Sequence, residues 1–219
     1  QYTLVIAGCS ATTLKIWSTA TVTGRNFNYN VGNFTKDVAF VASTGRAWVV
    51  PSQENFTWFV DSYNMSAASP IPHVGLFAVD DGSNPLADAI IYVAAVDRIV
   101  IARQHFNGAT FDVWLSFVGS NGTELSHLIG LTTEAFRNDF TLVDRTGLTG
   151  SFIGWLSGTN LYLINVTTQA VAAHAVVPGI SSQSGGFCYS CVTDSFFVRH
   201  LNDLLENTLL NSLFGLLCW

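Results

Sequence analysis

The sequence has few charged residues, and this shortage excludes several classes of protein. Asp, Glu, Lys and Arg together make up 11% of the 219 residues, against roughly a quarter in an average soluble domain. Only two lysines occur, Lys15 and Lys36, and the formal net charge is −6. Nucleic acids and anionic membrane surfaces attract basic proteins. We therefore expect neither of them as a partner.

Long apolar runs are also missing, although the chain is rich in apolar residues. Hydrophobic residues make up 49% of the sequence and aromatic residues 13%, which excludes an intrinsically disordered chain. Residues 146–193 contain no Asp, Glu, Lys or Arg, but Gly, Ser, Thr and Asn interrupt the apolar residues every few positions. No uninterrupted stretch of about 20 apolar residues forms, so the sequence predicts no transmembrane segment.

The beginning of the sequence and its glycosylation motifs favour an exported protein. The chain starts at Gln1 with neither a methionine nor a basic leader, as expected of a mature chain after signal-peptide removal. Glycans solubilise a surface that is poor in charge. We therefore expect an extracellular or cell-surface glycoprotein. The Asn-x-Ser/Thr sites that predict N-linked glycans are Asn33, Asn55, Asn64, Asn121 and Asn165.

The cysteines are few and even in number. In an exported chain this pattern predicts two disulfides, for which three pairings are open. A zinc site is not indicated, because no second pair of Cys or His ligands stands at zinc-finger spacing. The four cysteines are Cys9, Cys188, Cys191 and Cys218.

Four segments share one pattern, an apolar strand followed by a small polar turn and a second apolar strand. They are residues 3–18, 38–50, 90–102 and 151–165. The second and third align without a gap at an offset of 52 residues, so that Phe40 matches Tyr92 and Arg46 matches Arg98. No helix-length periodic segment separates the hairpins. The pattern therefore predicts an all-β fold of repeated antiparallel hairpins.

Repeated hairpins of this kind are typical of a β-propeller, and four of them predict four blades. Cys9 lies in the first hairpin, while Cys188 and Cys191 follow the fourth. A ring closed by a disulfide between the first and last blades resembles the architecture of hemopexin-type propellers, although no hemopexin sequence motif is present. A β-sandwich is the alternative, because the repeats are unevenly spaced. We expect residues 1–180 to form this domain and residues 181–193 to be a Gly/Ser/Cys linker.

The end of the chain predicts an amphipathic helix over residues 194–217. Thr193 or Asp194 is suited to cap it, and Phe197, Leu201 and Leu205 recur near helical spacing. We expect this helix to pack on the domain or on a partner. The residues predicted at such an interface are Leu209, Leu213, Phe214, Leu217 and Trp219.

No catalytic motif is found. The chain lacks a Gly-x-Ser-x-Gly elbow, a His-Glu-x-x-His helix and a phosphate-binding glycine loop, so we expect neither an enzyme nor a bound cofactor. One acidic loop is a candidate for calcium binding, and a set of carboxylates is a candidate for glycoside hydrolysis. The calcium candidates are Asp80, Asp81, Asn84 and Asp88, and the hydrolase candidates are Asp112, Asp139 and Asp144.

These observations favour a structural or adhesive glycoprotein, the subunit of a filament, cell-surface coat, matrix or virion surface. Low charge suits subunits that bury surface against each other, so we expect self-association into a homo-oligomer. A carbohydrate-binding module is the alternative, because tryptophans can stack on sugars. A glycoside hydrolase is the third hypothesis.

Overall fold

The described part of the chain is built from antiparallel β-strands. The computed structural model describes residues 5–10, 13–18, 21–28, 34–41, 43–52, 59–64, 73–78, 86–106, 109–132, 138–145, 147–178, 180, 185–199 and 207–209. Within these ranges there is no α-helix, and a single 3₁₀ turn lies at Ala94–Val96. Every strand pairing in them is antiparallel. The prediction of an antiparallel all-β fold is confirmed.

The strands of the described residues are, in chain order, β1 (Val5–Ser10), β2 (Thr13–Ser18), β3 (Thr21–Asn28), β4 (Phe34–Val41), β5 (Arg46–Ser52), β6 (Phe59–Asn64), β7 (His73–Ala78), β8 (Leu86–Val93), β9 (Arg98–Phe106), β10 (Phe111–Gly119), β11 (Glu124–Thr132), β12 (Asn138–Val143), β13 (Phe152–Ser157), β14 (Asn160–Asn165), β15 (Ala170–Val176), β16 (Gly185–Ser190), β17 (Ser195–Arg199) and β18 (Asn207–Leu209).

These strands form five sheets, and each sheet is an up-and-down meander of strands that follow one another in sequence. Sheet 1 contains β1–β3, sheet 2 contains β4–β7, sheet 3 contains β8–β11, sheet 4 contains β12–β15 and sheet 5 contains β16–β18. The first strands of successive sheets lie side by side, from β1 next to β4 through to β12 next to β16. The described residues show no closed barrel and no closed propeller.

The core lies between successive sheets rather than inside one of them. One cluster of buried apolar side chains joins sheets 2 and 3, a second joins sheets 3 and 4, and a third joins sheets 4 and 5. In β9, Ile99 and Ile101 belong to the first cluster, while Val100 and Ala102 belong to the second. Because both faces of sheet 3 are covered, its strands read as continuous apolar runs instead of alternating ones.

The hairpins predicted from the sequence correspond to hairpins in the structure. The fourth hairpin, however, occupies a different place in its sheet from the second and third. Residues 38–50 and 90–102 join the first and second strands of sheets 2 and 3. Residues 151–165 instead contain the second and third strands of sheet 4. The first strand of sheet 4, β12, is short and begins with the polar pair Asn138-Asp139, which hides it in the sequence.

The prediction of a C-terminal helix is wrong for the residues of this segment that the structure describes, which form strands. Gly185–Ser190, inside the predicted linker, form β16, and Ser195–Arg199 form β17. Asp194, a predicted helix cap, has a left-handed backbone and lies in the turn between these strands. Phe196 and Val198 are buried between sheets 4 and 5. Their two-residue period and the neighbouring strands favour a strand here over the helical spacing that begins at Phe197.

Candidate functional site

Three aspartates occupy similar places near the beginning of the first strands of sheets 2, 3 and 4. Asp37 lies in β4, Asp88 in β8 and Asp139 in β12, and successive members are 51 residues apart. Because these three strands are neighbours, the aspartates lie along one side of the sheet array. We call these three residues the carboxylate row.

Asp37 joins the first strands of sheets 2 and 3. Its Oδ2 accepts a hydrogen bond of 2.8 Å from the backbone N–H of Ile90, and its Oδ1 accepts one of 2.8 Å from Val38 N–H. Burial raises the pKa of Asp37 to about 6, the two backbone hydrogen bonds oppose this rise, and the nearby charge of Asp139 adds to it. The carboxyl group therefore links two sheets, and its burial there costs desolvation free energy.

Asp88 joins the first strands of sheets 3 and 4 in a comparable way. Its Oδ2 accepts hydrogen bonds from the side-chain amides of Gln104 and Asn138. The Oδ1 of Asn138 in turn accepts a 3.1 Å bond from the indole N–H of Trp155. Gln104, Asn138 and Trp155 are all buried. The carboxylate of Asp88 is therefore part of an amide network between the two sheets.

The proposed calcium loop is tested only at Asp88. The other members, Asp80, Asp81 and Asn84, lie outside the described residues. Within the part of the chain that the structure describes, no group of three or more His, Cys, Asp or Glu side chains is arranged to hold a metal ion. A calcium site in this loop stays a prediction, without a described cluster that supports it.

Two of the three carboxylates suggested for glycoside hydrolysis, Asp139 and Asp144, are far apart. Asp139 is near the beginning of β12, whereas Asp144 follows its last residue, Val143. Five residues of extended strand separate them by about 16 Å, but glycosidases place their two carboxyl groups about 5–10 Å apart. Asp112 lies near the beginning of β10, in the neighbouring sheet. The electrostatic effect of Asp139 falls instead on Asp37.

Three tryptophans have described side chains, and each ring contacts neighbouring groups. Trp114 in β10 lies between strands β9 and β11; the Arg103 guanidinium is 4.8 Å from its ring centre and the His127 ring is stacked at 5.2 Å. Trp155 is fully buried and stacks on Tyr162 at 4.8 Å. Trp48 is buried between sheets 2 and 3. Trp48 and Trp155 therefore offer no open face for a sugar ring, whereas Trp114 is partly exposed and has Arg103 and His127 against its ring.

A second link between sheets is made at the turns that follow the first strands. Asp97, in the β8–β9 turn, has a left-handed backbone with φ of 49°. Its carboxylate accepts hydrogen bonds of 2.7 Å from the hydroxyls of Tyr92, Ser43 and Ser120. Ser43 belongs to the β4–β5 turn of sheet 2. These hydroxyls, Ser120 first, hold the pKa of Asp97 below its ordinary value.

The β16–β17 turn of sheet 5 repeats this arrangement. Tyr189 donates a hydrogen bond of 2.6 Å to Asp194, five residues later and also left-handed, as Tyr92 does to Asp97. Asp194 reaches sheet 4 through an ion pair of 2.9 Å with Arg145. Sequence reasoning missed this element, and the signal that finds it is the spacing Tyr-x-x-x-x-Asp in both turns.

Two of the five predicted glycosylation sites have described side chains, and both lie at turns. Asn121 is exposed in the β10–β11 turn, and its Oδ1 accepts a hydrogen bond of 3.1 Å from Thr123 N–H. Asn165 ends β14 and is half-buried, and its Oδ1 accepts hydrogen bonds from the backbone N–H groups of Thr167 and Thr168. Asn64 is the last residue of β6. Asn33 and Asn55 lie outside the described residues.

Only some of the cysteines in the predicted disulfides have described side chains. Cys188 lies in β16 and Cys191 in the turn after it; both are exposed, and neither forms a disulfide in the described residues. Cys9 lies in β1, and Cys218 is outside the described residues. Of the predicted interface residues, Leu209 ends β18, while Leu213, Phe214, Leu217 and Trp219 also lie outside the described ranges.

Comparison with known proteins gives no family for this chain. No protein-family model matches it, and no curated protein matches it significantly. Among the residues that the structure describes, none of the helical segments has the length and apolar character needed to cross a membrane.

Proposed function

We propose that this chain is an exported, N-glycosylated structural or adhesive subunit that acts through its surface and through self-association. The observation that carries the proposal is the use made of the polar side chains. Asp37, Asp88, Asp97 and Asp194 all bond to a neighbouring sheet. Groups used to hold a scaffold together are not available for turnover, which favours a structural role.

We also propose that the five sheets are blades of a propeller-like array, with a β-sandwich as the alternative. Two features support this arrangement. The first strands of successive sheets are neighbours, and sheets 3 and 4 are buried on both faces. Blades arranged around an axis have both properties, whereas each sheet of a two-layer sandwich has one buried face. Sheets 1 to 5 would then be five consecutive blades instead of four.

Glycosylation is supported by the surroundings of Asn121. This side chain is exposed at a turn, where a glycan would extend into solvent. The extracellular or cell-surface location and the predicted disulfides form part of the same proposal. The exposed residues within 146–193, a segment that lacks charged side chains, would be the surface most in need of glycans or of a partner.

The test is expression of the chain behind a secretory leader in eukaryotic cells. We expect secreted material whose mass falls on treatment with an N-glycosidase. Replacing Thr123 with Ala should remove one glycan, whereas Thr123→Ser, the matched control, keeps the site and the glycan. Secreted, folded protein without any glycan would contradict the proposed modification.

The same material tests the structural role. Light scattering and negative-stain electron microscopy across a concentration series should show a fixed oligomer or a filament. A monomer at every concentration would contradict the proposed self-association. If that monomer bound defined sugars on a glycan array, the carbohydrate-binding hypothesis would replace the structural one.

A further inference from the structure

Three of the predicted glycosylation sites occupy the same place in three successive sheets. Strands alternate in direction within an antiparallel meander, so the first-to-second and third-to-fourth turns lie at the same end of each sheet. In sheets 2, 3 and 4 the third-to-fourth turn follows β6, β10 and β14. Asn64 is the last residue of β6, Asn121 follows β10 closely, and Asn165 is the last residue of β14. We call these three residues the asparagine row.

The strand registers confirm that the three sites are equivalent. Asn64 pairs with Arg46, the first residue of β5, and Asn165 pairs with Phe152, the first residue of β13. In sheet 3 the last residue of β10 likewise pairs with the first residue of β9. Each site therefore lies beside the point where the second strand of its sheet begins.

Hydrogen bonds between the sheets place these turns at one end of the array. Ser43 in the β4–β5 turn of sheet 2 and Ser120 in the β10–β11 turn of sheet 3 both donate to Asp97 in the β8–β9 turn. Ser126, near the beginning of β11, donates to Gln169 in the β14–β15 turn of sheet 4. The carboxylate row joins the other ends of the same sheets. The asparagine row therefore lies at the end of the array opposite the carboxylate row.

Asn121 and Asn165, the two members with described side chains, have the same local geometry. In each, Oδ1 accepts a hydrogen bond from the backbone N–H of the threonine of its own glycosylation site, Thr123 at 3.1 Å and Thr167 at 3.0 Å. Both threonines are exposed. These turns use the side-chain oxygen. They do not use Nδ2, the atom to which an N-linked glycan is attached.

In sheets 3 and 4 the glycosylation motif is confined to this end. The connections at the opposite end of these sheets are residues 79–85, 107–110, 133–137 and 158–159, and none of them contains Asn-x-Ser/Thr. Asn33 and Asn55 precede β4 and β6 of sheet 2 and lie outside the described residues. The asparagine row is therefore a feature of one end of three neighbouring sheets.

From these observations we propose that Asn64, Asn121 and Asn165 all carry N-glycans, which cover one end of sheets 2–4 and keep it out of contacts between copies of the chain. Packed sheets lie about 10 Å apart, which is less than the width of a branched glycan, so neighbouring glycans form a continuous layer. Burying this hydrated layer in an interface would cost desolvation free energy.

The modification is a transfer from an oligosaccharide carried on a lipid diphosphate. A bond forms between Nδ2 and the anomeric carbon of the sugar, the bond from that carbon to the phosphate oxygen breaks, and Nδ2 loses one proton as the lipid diphosphate leaves. This inference rests on the proposed glycosylation and self-association, and adds which sites share a surface and which end of the array the copies do not use.

The first test measures occupancy at each site of the secreted, full-length chain. Treatment with an N-glycosidase in water enriched in heavy oxygen converts each glycosylated Asn into a labelled Asp, which peptide mass spectrometry assigns to its position. We expect label at all three members of the asparagine row. A folded, secreted chain in which any member is unlabelled would overturn the row. Label at no asparagine would overturn the proposed glycosylation as well.

The second test determines whether the row faces away from other copies. With Asn33→Asp and Asn55→Asp combined, the asparagine row holds all the remaining sites, and Asp is equally suited to turns. This variant is produced in cells that retain mannose-rich glycans and is mixed with a monovalent mannose-binding lectin domain. Light scattering should show the oligomer gaining the mass of bound lectin without losing chains. The chain with Asp at all five sites is the control and should bind no lectin.

The outcomes separate this inference from the proposed function. Lectin that dissociates the oligomer, or an oligomer whose occupied row binds no lectin, would overturn the placement of this end outside the contacts while leaving the proposed self-association in place. A wild-type chain that is monomeric at every concentration would overturn the self-association and that placement together. Circular dichroism confirms that each variant is folded.

Discussion

The interface between sheets 2 and 3 and the interface between sheets 3 and 4 share sheet 3, but different side chains hold them together. In the first, carboxylates link the sheets near both ends of the first strands, through Asp37 and Asp97. In the second, large rings fill the space, with Trp155 and Tyr162 packed in one cluster with Phe117. Each interface also contains the other element, a cluster around Trp48 in the first and the Asp88 network in the second. The comparison therefore indicates that the first interface depends more on protonation and the second more on packing volume.

The largest effect should come from the packed interface. We expect Trp155→Ala to lower the free energy of unfolding by about 3–5 kcal/mol, because it empties a fully buried site and removes the indole donor to Asn138. Urea denaturation followed by circular dichroism measures this change. Leu142→Ala in the same sheet, where the side chain is 52% exposed, is the control and should cost little. Equal losses in both variants would show that the sheet 3–4 interface is not a main source of stability.

The carboxylate interface should respond to pH through Asp37. The pKa of this residue is about 6 in the folded chain, above its ordinary value of 3.8. The folded state therefore binds the proton more tightly, and Asp37 contributes stability that is complete below about pH 4 and is lost as the pH rises through 6. The difference amounts to roughly 3 kcal/mol at most.

Urea titrations of the wild type and Asp37→Asn at pH 4.5 and 7.5 measure this contribution. The wild type should gain stability relative to the variant as the pH falls between these values. Asp144→Asn, at an exposed position after β12, is the matched control and should follow the wild type. A constant difference between wild type and D37N would mean that Asp37 is not buried against β8 as described.

Asp97 should give the smallest effect, with the opposite dependence on pH. Its pKa is lowered by three hydroxyl donors, so its contribution is present at neutral pH and is lost as the pH falls through the folded pKa. Asp97→Asn keeps a residue suited to the left-handed turn and removes the charge, which should cost about 1 kcal/mol at pH 7. If the Ser43 bond links the two sheets, D97N and Ser43→Ala will be non-additive in a double-mutant cycle. Strict additivity would contradict the link.

Much of the local structure was predictable, because strand-forming residues and small turns stand close together in sequence. The hairpins at residues 38–50 and 90–102 and their offset of 52 residues correspond to β4–β5 and β8–β9. When the sequence is shifted by this offset, Asp37 aligns one residue after Asp88. The repeat therefore indicates two members of the carboxylate row. The partner of Asp37 was not, since Ile90 is 53 residues away and contributes only a backbone N–H.

The end of the chain shows why the remaining structure was not predictable. Residues 195–199 fit a helical stripe that begins at Phe197 and also fit a strand with Phe196 and Val198 buried. Local sequence does not decide between these patterns, because both place apolar residues on one face. Residues 195–199 form strand β17 because β16 provides backbone hydrogen-bond partners and because Phe196 and Val198 pack on the apolar face of sheet 4.

The sequence by itself determined the all-β class, the repeated hairpins, the shortage of charge and the uncharged segment that contains β15. These properties follow from residue composition and short-range periodicity, which need no partner. Only the tertiary structure decided that the described strands form five sheets, that carboxylates link several of them, and that β15 is an edge strand. Each of these depends on groups far apart in sequence, which become neighbours only when the sheets pack against one another.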